Sequence, residues 1–245
     1  MDLFFEIHKD LPREAPGDDA STRRAYGMLP RLPKEPSILD MGCGPGAQTL
    51  ELARISGGTI TALDLHEPFL ADLERRADAA GLGDRITTHL KPMQDPGLPD
   101  RSFDLIWSEG AIYIIGFEEG LRAWRRLLKP GGAIAVTEIS WLKPNPPREV
   151  AETWSTWYPG MASIEENLKR ITRQGYRVLG HFTLPESAWW EPYYNPILKR
   201  IERLRAQYAR DAAVLKQLDA EQLEIDLYRR YAEWYGYEFY VAQLA

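Results

Sequence analysis

Short apolar segments alternate with amphipathic segments along the first half of this chain. Five of the apolar segments are typical of strands, and they cover residues 37–41, 58–64, 86–90, 103–107 and 133–137. The segments between them repeat their apolar residues at helical spacing. Nearly continuous apolar strands joined by crossover helices predict a parallel sheet with helices on both faces. The fold class is therefore α/β.

The second half of the chain is richer in aromatic residues. Ten of the twelve tyrosines and five of the eight tryptophans follow residue 145. The pattern predicts two further strands, over 176–184 and 237–242, which bring the sheet to seven. Residues 197–235 have strong helical propensity, and we expect this helical segment to break near Asp211 and near Asp219.

The composition limits the classes of function. Apolar residues make up 44% of the 245 residues and charged residues 27%, which is typical of a globular domain with a core. A net charge of −6 disfavours nucleic acid as a partner. The single cysteine, Cys43, excludes internal disulfides, and four scattered histidines indicate no metal site. Since neither a secretory signal nor a long apolar run is visible, we expect a cytoplasmic protein without a membrane span.

Three glycines follow the first predicted strand, and an aspartate precedes them. The motif reads Asp40-x-Gly42-x-Gly44-x-Gly46. Glycine permits a tight turn and lets a ligand approach the backbone, and the next helix presents unpaired N–H groups. The second strand ends at Asp64, whose carboxylate can accept hydrogen bonds from both hydroxyl groups of a ribose. Ligands bind at such strand ends in a doubly wound sheet, so the pattern indicates a nucleoside-bearing cofactor.

The motif is compatible with two cofactors. Gly42, Gly44 and Ala47 also satisfy the relaxed fingerprint of dinucleotide-binding proteins, which would suit NAD. Asp40 favours S-adenosylmethionine instead, because a carboxylate at this strand end can hold an amino group but repels a pyrophosphate. Gly46 gives the tighter Gly-x-Gly-x-Gly arrangement, which favours the same cofactor.

Three segments resemble motifs of one family, the class I S-adenosylmethionine-dependent methyltransferases. Residues 38–46 (ILDMGCGPG) resemble the first motif of that family. Residues 98–108 (LPDRSFDLIWS) resemble the segment that forms its fourth strand, and residues 128–132 (LKPGG) resemble the turn before its fifth. The resemblance covers about residues 35–142, and it is strongest to the ubiquinone/menaquinone-biosynthesis-like branch. It implies a Rossmann-like methyltransferase fold with S-adenosylmethionine as cofactor.

The resemblance also implies an organisation for the whole chain. We predict a single methyltransferase domain over 1–245, with a doubly wound, mostly parallel, seven-stranded sheet. Its parts are an N-terminal cap (1–36), a cofactor-binding half (37–142) and a substrate-side half (143–245), which includes a helical insertion (about 190–235) before the last strand.

The family resemblance further implies roles for individual residues. Asp40 and the backbone of Gly42 would hold the methionine part of the cofactor, and Asp64 its ribose. The other implied cofactor-binding residues are Cys43, Gly44, Leu65 beside the adenine, Met93 through its backbone amide, Gln94, and Ser108 and Glu109 facing the transferable methyl group.

One position departs from the family. The residue before Met93 is often acidic there and accepts a hydrogen bond from the adenine amino group, but it is Pro92 here. Adenine recognition then depends on Gln94, on Asp95 or on the main chain.

Methyl transfer requires alignment of the acceptor more than a strong base, because the cofactor carries the activated methyl group. Where the acceptor must lose a proton, Glu109, Tyr113 and His181 are candidate bases. Each has a structural alternative: Glu109 as a solvated loop residue, Tyr113 as a packing residue and His181 as a core histidine. Cys43 is expected to fill tight space in the glycine turn rather than to act as a nucleophile.

Seven aromatic residues of the second half form a further candidate group. They either line a pocket for the methyl acceptor or fix the helical insertion to the sheet. They are Trp154, Trp157, Tyr158, Trp189, Trp190, Tyr193 and Tyr194.

These observations predict an enzyme that methylates an O, N or C atom of a small molecule by in-line displacement. A lid made from residues 1–36 and 145–235 would cover the acceptor. Two alternatives stay open, an NAD-dependent oxidoreductase and a non-catalytic protein that binds S-adenosylmethionine. We expect no nucleic acid partner and no metal, and assembly into a homodimer is also left open.

Overall fold

One mixed sheet forms the centre of the molecule. The computed structural model describes residues 3–245. Its strands are β1 (Ser37–Met41), β2 (Thr59–Asp64), β3 (Ile86–Leu90), β4 (Phe103–Ser108), β5 (Leu128–Trp141), β6 (Ala162–Ser163), β7 (Tyr176–Thr183) and β8 (Tyr235–Leu244). They pair in the order β3-β2-β1-β4-β5-β8-β7, and β6 pairs with β5. Neighbours from β3 to β5 are parallel, whereas β8 is antiparallel to both β5 and β7.

Helices precede, connect and cover these strands. Within the described residues they are α1 (Leu3–His8), α2 (Asp19–Gly27), α3 (Ala47–Ser56), α4 (Glu67–Ala79), α5 (Phe117–Trp124), α6 (Arg148–Trp157), α7 (Ile164–Arg173), α8 (Ser187–Trp189), α9 (Asn195–Gln207) and α10 (Ala212–Tyr231). A π-helical turn, Trp190–Tyr194, joins α8 to α9. The last three helices form the insertion between β7 and β8.

The predicted doubly wound, mostly parallel sheet is confirmed. All seven predicted strands are present, and the two-residue β6 is an eighth. The fifth strand begins earlier than expected, at Leu128 rather than Ala133. Its extra residues belong to the sheet because Leu128 pairs with Phe103 ahead of a register shift between β4 and β5.

The helical insertion differs from its prediction at one point. The break near Asp211 is confirmed, because the side chain of Asp211 accepts hydrogen bonds from the backbone N–H groups of Ala213 and Val214 and caps α10. The break predicted near Asp219 is wrong. The helix α10 continues through this exposed residue, which forms an ion pair of 2.6 Å with Arg205 of α9.

Large aromatic side chains pack on both faces of the sheet. On one face, Trp124 of α5 is fully buried, and its Nε1 donates a hydrogen bond of 2.9 Å to the backbone oxygen of Met93. This contact fixes the segment that follows β3. On the other face, Trp189 of α8 packs against Tyr237 of β8, with ring centroids 5.3 Å apart. The insertion is therefore anchored to the sheet by aromatic packing.

The N-terminal helices are tied to the rest of the chain by polar contacts. Arg200 of α9 donates hydrogen bonds to the backbone oxygens of Glu6 and Lys9, at 3.3 and 2.6 Å. Arg23 of α2 forms an ion pair of 2.5 Å with Glu51 of α3. These contacts tie α1 to the insertion and α2 to the helix that follows β1.

Gly46 offers a test of how tightly the turn after β1 is packed. Its φ is +81°, and a β-carbon there would lie 2.2 Å from Cδ1 of Leu73 in α4. Gly81 also has a positive φ but has open space around it. We expect Gly46→Ala to lower the free energy of unfolding by about 3 kcal/mol, from backbone strain plus crowding, and Gly81→Ala by about 1 kcal/mol, from strain alone. Urea denaturation of both variants checks this, and equal losses would contradict it.

Candidate active site

A cavity of about 350 Å³ opens at the carboxyl ends of β1, β2 and β4. This volume is within the range of small-molecule sites. Nine of the residues selected from the sequence line it: Gly42, Cys43, Gly44, Asp64, Leu65, Met93, Gln94, Glu109 and Tyr113. Two others, Asp40 and Ser108, do not.

The glycine turn ties the ends of β1 and β2 together. The backbone N–H groups of Gly42 and Cys43 both donate to the oxygen of Leu63, at 2.8 and 2.9 Å. Gly42 has a φ of +72°, and a β-carbon there would lie 2.4 Å from Cβ of Ala111. A larger residue would therefore both strain the backbone and close the cavity floor.

Asp64 is fixed by the same turn. Its Oδ2 accepts a hydrogen bond from the Gly44 N–H and its Oδ1 from the His66 N–H, both at 2.9 Å. Each carboxylate oxygen keeps a further lone pair. The carboxylate is thus oriented by the protein and can still accept hydrogen bonds from a diol in the cavity.

Beside Asp64 the cavity wall is apolar. Leu65 is 66% exposed although it is a leucine, and it lines the cavity. Phe5 from the cap stacks on His66, with ring centroids 3.6 Å apart and planes 2° apart, and Phe69 meets His66 edge-on at 4.4 Å. A flat, apolar ring system such as adenine fits this surrounding chemically.

Asp40 and Ser108 lie behind the cavity rather than in its wall. Asp40 is fully buried and its Oδ2 accepts a hydrogen bond of 2.6 Å from Thr49. Burial raises the pKa of this carboxyl to about 7, and the negative charge of Glu109 adds to the rise. The hydroxyl of Ser108 donates to the backbone oxygen of Met41 at 2.8 Å. The sequence pattern did not distinguish these buried positions from the exposed ones.

Glu109 is held by a buried polar network. Its Oε2 accepts a hydrogen bond of 2.8 Å from Arg13, and its Oε1 accepts from Thr22 at 2.8 Å and from Trp107 Nε1 at 2.9 Å. Both Arg13 and Glu109 are buried. A carboxylate with three donors, one of them a guanidinium, holds the cap against the end of β4.

Sequence reasoning missed Arg13 and Thr22. Both lie in the cap, 96 and 87 residues before Glu109. No local motif marks either residue, and only the folded chain brings them to the end of β4. The sequence pattern therefore contained Glu109 but not its basic partner, Arg13.

Of the remaining candidate residues, Tyr113 and Cys43 line the cavity and His181 does not. Tyr113 lines the cavity, and burial raises the pKa of its hydroxyl, which therefore stays protonated and can donate a hydrogen bond. Burial also raises the pKa of the Cys43 thiol, so the expected packing role suits this residue. His181 does not line the cavity, and its Nδ1 pairs with Glu238 at 2.5 Å.

The aromatic group of the second half divides between its two predicted roles. Five members line a second cavity next to the first: Trp154, Trp157, Tyr158, Trp189 and Tyr193. Trp190 and Tyr194 do not, and they pack against each other with ring centroids 5.5 Å apart.

Within residues 3–245 no three His, Cys, Asp or Glu side chains are placed to hold a metal ion together. Nor does this part of the chain contain a helix with the length and apolar character needed to cross a membrane.

Comparison with known proteins agrees with the geometry of the site. Residues 38–132 match the family described as methyltransferase domain. The 27-O-demethylrifamycin SV methyltransferase of Amycolatopsis mediterranei is 26% identical over 86% of this chain and 78% of its own length. The methyltransferase GfsG of Streptomyces halstedii is 33% identical, but over only 42% of this chain and 37% of that protein.

Solved structures share the whole fold. A methyltransferase from Geobacter sulfurreducens in complex with S-adenosylhomocysteine superposes with a TM-score of 0.84, at 23% identity, over 99% of this chain and 98% of that one. These findings, with the glycine turn and Asp64, define the class of protein as a Rossmann-like methyltransferase. The chain is a class I S-adenosylmethionine-dependent methyltransferase.

The two acidic partners of Arg13 allow a matched test of the network. Glu109 is buried with Arg13, whereas Asp19, 3.2 Å from the same guanidinium, is 48% exposed. Glu109→Gln should lower the free energy of unfolding by about 3 kcal/mol, because it leaves a buried charge without its partner. Asp19→Asn should cost less than about 1 kcal/mol, since exposed pairs contribute little. Urea denaturation compares the two, and similar losses would contradict the assigned network.

Proposed function

We propose that this methyltransferase acts on a small molecule, with the cofactor in the first cavity and the acceptor in the second. The observation that carries the proposal is the position of Asp64, oriented by the glycine turn in the wall of a cavity that adjoins an aromatic one. The two volumes suit a nucleoside cofactor and a small acceptor side by side. The acceptor atom is O, N or C.

Residues of the first cavity supply the cofactor contacts in this proposal. Asp64 accepts hydrogen bonds from the ribose hydroxyls, and Leu65 packs beside the adenine. The backbone groups at Gly42, Cys43 and Gly44 face the methionine part. Met93 is held by Trp124, which supports its predicted role of presenting a backbone amide to the adenine, next to Gln94.

Asp40 acts from behind the glycine turn. Its Oδ1 is buried and accepts no well-formed hydrogen bond among the described residues, although Gln48 lies beside it. A buried carboxylate oxygen without a donor is costly. This supports the predicted role of Asp40 toward the amino group of the cofactor. In the proposal Asp40 makes no contact with the acceptor.

Alignment of the acceptor is the main task of the protein in the reaction. When bound, S-adenosylmethionine supplies a methyl group already activated by a sulfonium, so the protein has to position the acceptor in line with it. Glu109, paired with Arg13, keeps the cap closed over the site and excludes water. Tyr113 lines both cavities and can donate a hydrogen bond that orients the acceptor.

Several finer expectations remain part of the proposal. The net charge of −6 supports a small-molecule acceptor rather than nucleic acid. The ubiquinone/menaquinone-biosynthesis-like branch, a cytoplasmic location and a homodimer stay predictions from the sequence. An NAD-dependent oxidoreductase and a non-catalytic binding protein are not favoured, because the family match and the relatives compared above are methyltransferases.

Transfer of labelled methyl groups tests the function directly. The protein is incubated with methyl-labelled S-adenosylmethionine and a small-molecule extract of its host, and products are found by mass spectrometry. We expect label in at least one metabolite and formation of S-adenosylhomocysteine. If binding is retained but no metabolite acquires label, the chain binds the cofactor without the proposed catalysis.

Asp64 is the residue on which cofactor binding should depend most. Asp64→Ala removes the acceptor for the ribose hydroxyls and should weaken S-adenosylhomocysteine binding at least about tenfold, as measured by calorimetry. Asp84→Asn, an exposed change near the start of β3, is the control and should leave affinity unchanged. Thermal unfolding without ligand shows whether the turn survives in each variant. Unchanged affinity in a folded Asp64→Ala protein would contradict the ribose assignment.

A further inference from the structure

A second cavity lies directly beside the proposed cofactor cavity. Its volume is about 270 Å³, and both cavities are lined by Glu14, Gly110 and Tyr113. A molecule in it would be adjacent to a cofactor held at Asp64. What this cavity binds therefore defines the class of methyl acceptor, an inference that rests on the proposed function.

Aromatic side chains form most of its wall. Trp154 and Trp157 meet edge to face with ring centroids 5.6 Å apart, and Tyr113 and Tyr158 do so at 5.9 Å. Trp189 closes the inner side. The faces of such rings attract cations, and they do so most strongly where water is excluded.

The charged groups of the same wall are mainly acidic. Three carboxyl groups line the cavity, those of Glu14, Glu221 and Glu224. Glu221 and Glu224 are three residues apart on α10 and so face the same way. Among the described residues that line this cavity the only base is His8, 2.8 Å from Glu14, with no lysine or arginine. One imidazole balances at most one carboxylate, so the ionised cavity is negative.

Burial acts on all three carboxyl groups. It is the main cause that raises the pKa of Glu14, Glu221 and Glu224, in each case against an opposing effect of His8. Tyr194 donates a hydrogen bond of 3.0 Å to Oε1 of Glu224, which positions that group. A cation in the cavity would restore the stabilisation that burial removes, whereas an anion would be repelled.

The indole nitrogen of Trp189 is an independent indication of a ligand. The side chain is only 3% exposed and lines the cavity, yet its N–H has no acceptor among the described residues. A buried N–H without a partner is unfavourable. An oxygen atom of a bound molecule would satisfy it.

We propose that the second cavity binds an oxygen-bearing amine, with its nitrogen against Glu221, Glu224 and the aromatic faces. Such an amine is the methyl acceptor. A protonated amine first gives its proton to a cavity carboxylate. The nitrogen lone pair then forms the bond to the methyl carbon while the carbon–sulfur bond breaks with its electron pair on sulfur. Positive charge moves from sulfur to nitrogen, where the carboxylates and aromatic rings stabilise it.

A charged probe and its uncharged isostere test the proposal. Choline and 3,3-dimethylbutan-1-ol have the same shape and the same hydroxyl group but differ in charge. Their affinities are measured by ligand-observed NMR, with and without S-adenosylhomocysteine. We expect choline to bind about fivefold more tightly or better. Glu224→Gln and Glu221→Gln should each remove most of this preference while leaving the affinity for the alcohol unchanged.

Glu202→Gln is the matched control. Glu202 is an exposed residue of α9, so this variant changes the net charge equally without altering the cavity, and it should keep the preference. A glutamine at 224 still accepts the hydrogen bond from Tyr194, and Glu221→Gln provides a second variant if Glu224→Gln fails to fold. Equal binding of the two probes to the wild type, or an equal loss of both in the cavity variants, would overturn the proposal. Failure to bind S-adenosylhomocysteine would instead contradict the proposed function. The choline measurements are also made without this ligand, so the two failures can be distinguished.

Discussion

Two backbone hydrogen bonds to the oxygen of Leu63 fix the ends of β1 and β2 against each other. They require the chain to reverse within a few residues, which the positive φ angles of Gly42, Gly44 and Gly46 permit. The same turn donates an N–H to Asp64 and so orients the carboxylate toward the cavity. Since parallel strands end at one edge of a sheet, this turn determines where the proposed cofactor cavity lies.

The rest of the site is assembled from segments far apart in the sequence. The cap reaches the site through the buried pair of Arg13 and Glu109, and the insertion holds the cap through Arg200. Separating a buried ion pair leaves each charge without its partner, which is unfavourable. The pair therefore holds the cap in one defined position. The cap and the aromatic insertion both line the second cavity, so the proposed acceptor site lies under covering elements rather than on the open sheet edge.

Local chemistry made the sheet and the cofactor half predictable from the sequence. Strand periodicity, the glycine motif and the acidic residue Asp64 at a strand end are each visible within a short segment, and the structure has them at the ends of β1 and β2 as expected. Burial was not predictable in the same way: Asp40 and Ser108 belong to the motif segments but are fully buried and do not line the cavity. Nor could a single sequence pair Arg13 with Glu109, because only tertiary packing brings them together.

In the second half of the chain, too, tertiary packing set the limit of what the sequence could predict. Helical propensity located the insertion, but it also predicted a break at Asp219. The helix α10 is continuous there, and Asp219 forms an ion pair with Arg205 of α9. The sequence offered two roles for the aromatic group, and the fold assigns Trp154 and Trp157 to the cavity while Trp190 packs outside it. Propensity and composition describe which residues are present, whereas the direction of each side chain depends on the packing of whole helices.

A crystal structure of this chain with S-adenosylhomocysteine tests the central claim most directly. The account predicts both ribose hydroxyls within hydrogen-bond distance of the Asp64 carboxylate, the adenine beside Leu65, and the sulfur directed toward the second cavity. A nucleoside bound elsewhere, or a ribose that makes no contact with Asp64, would contradict it.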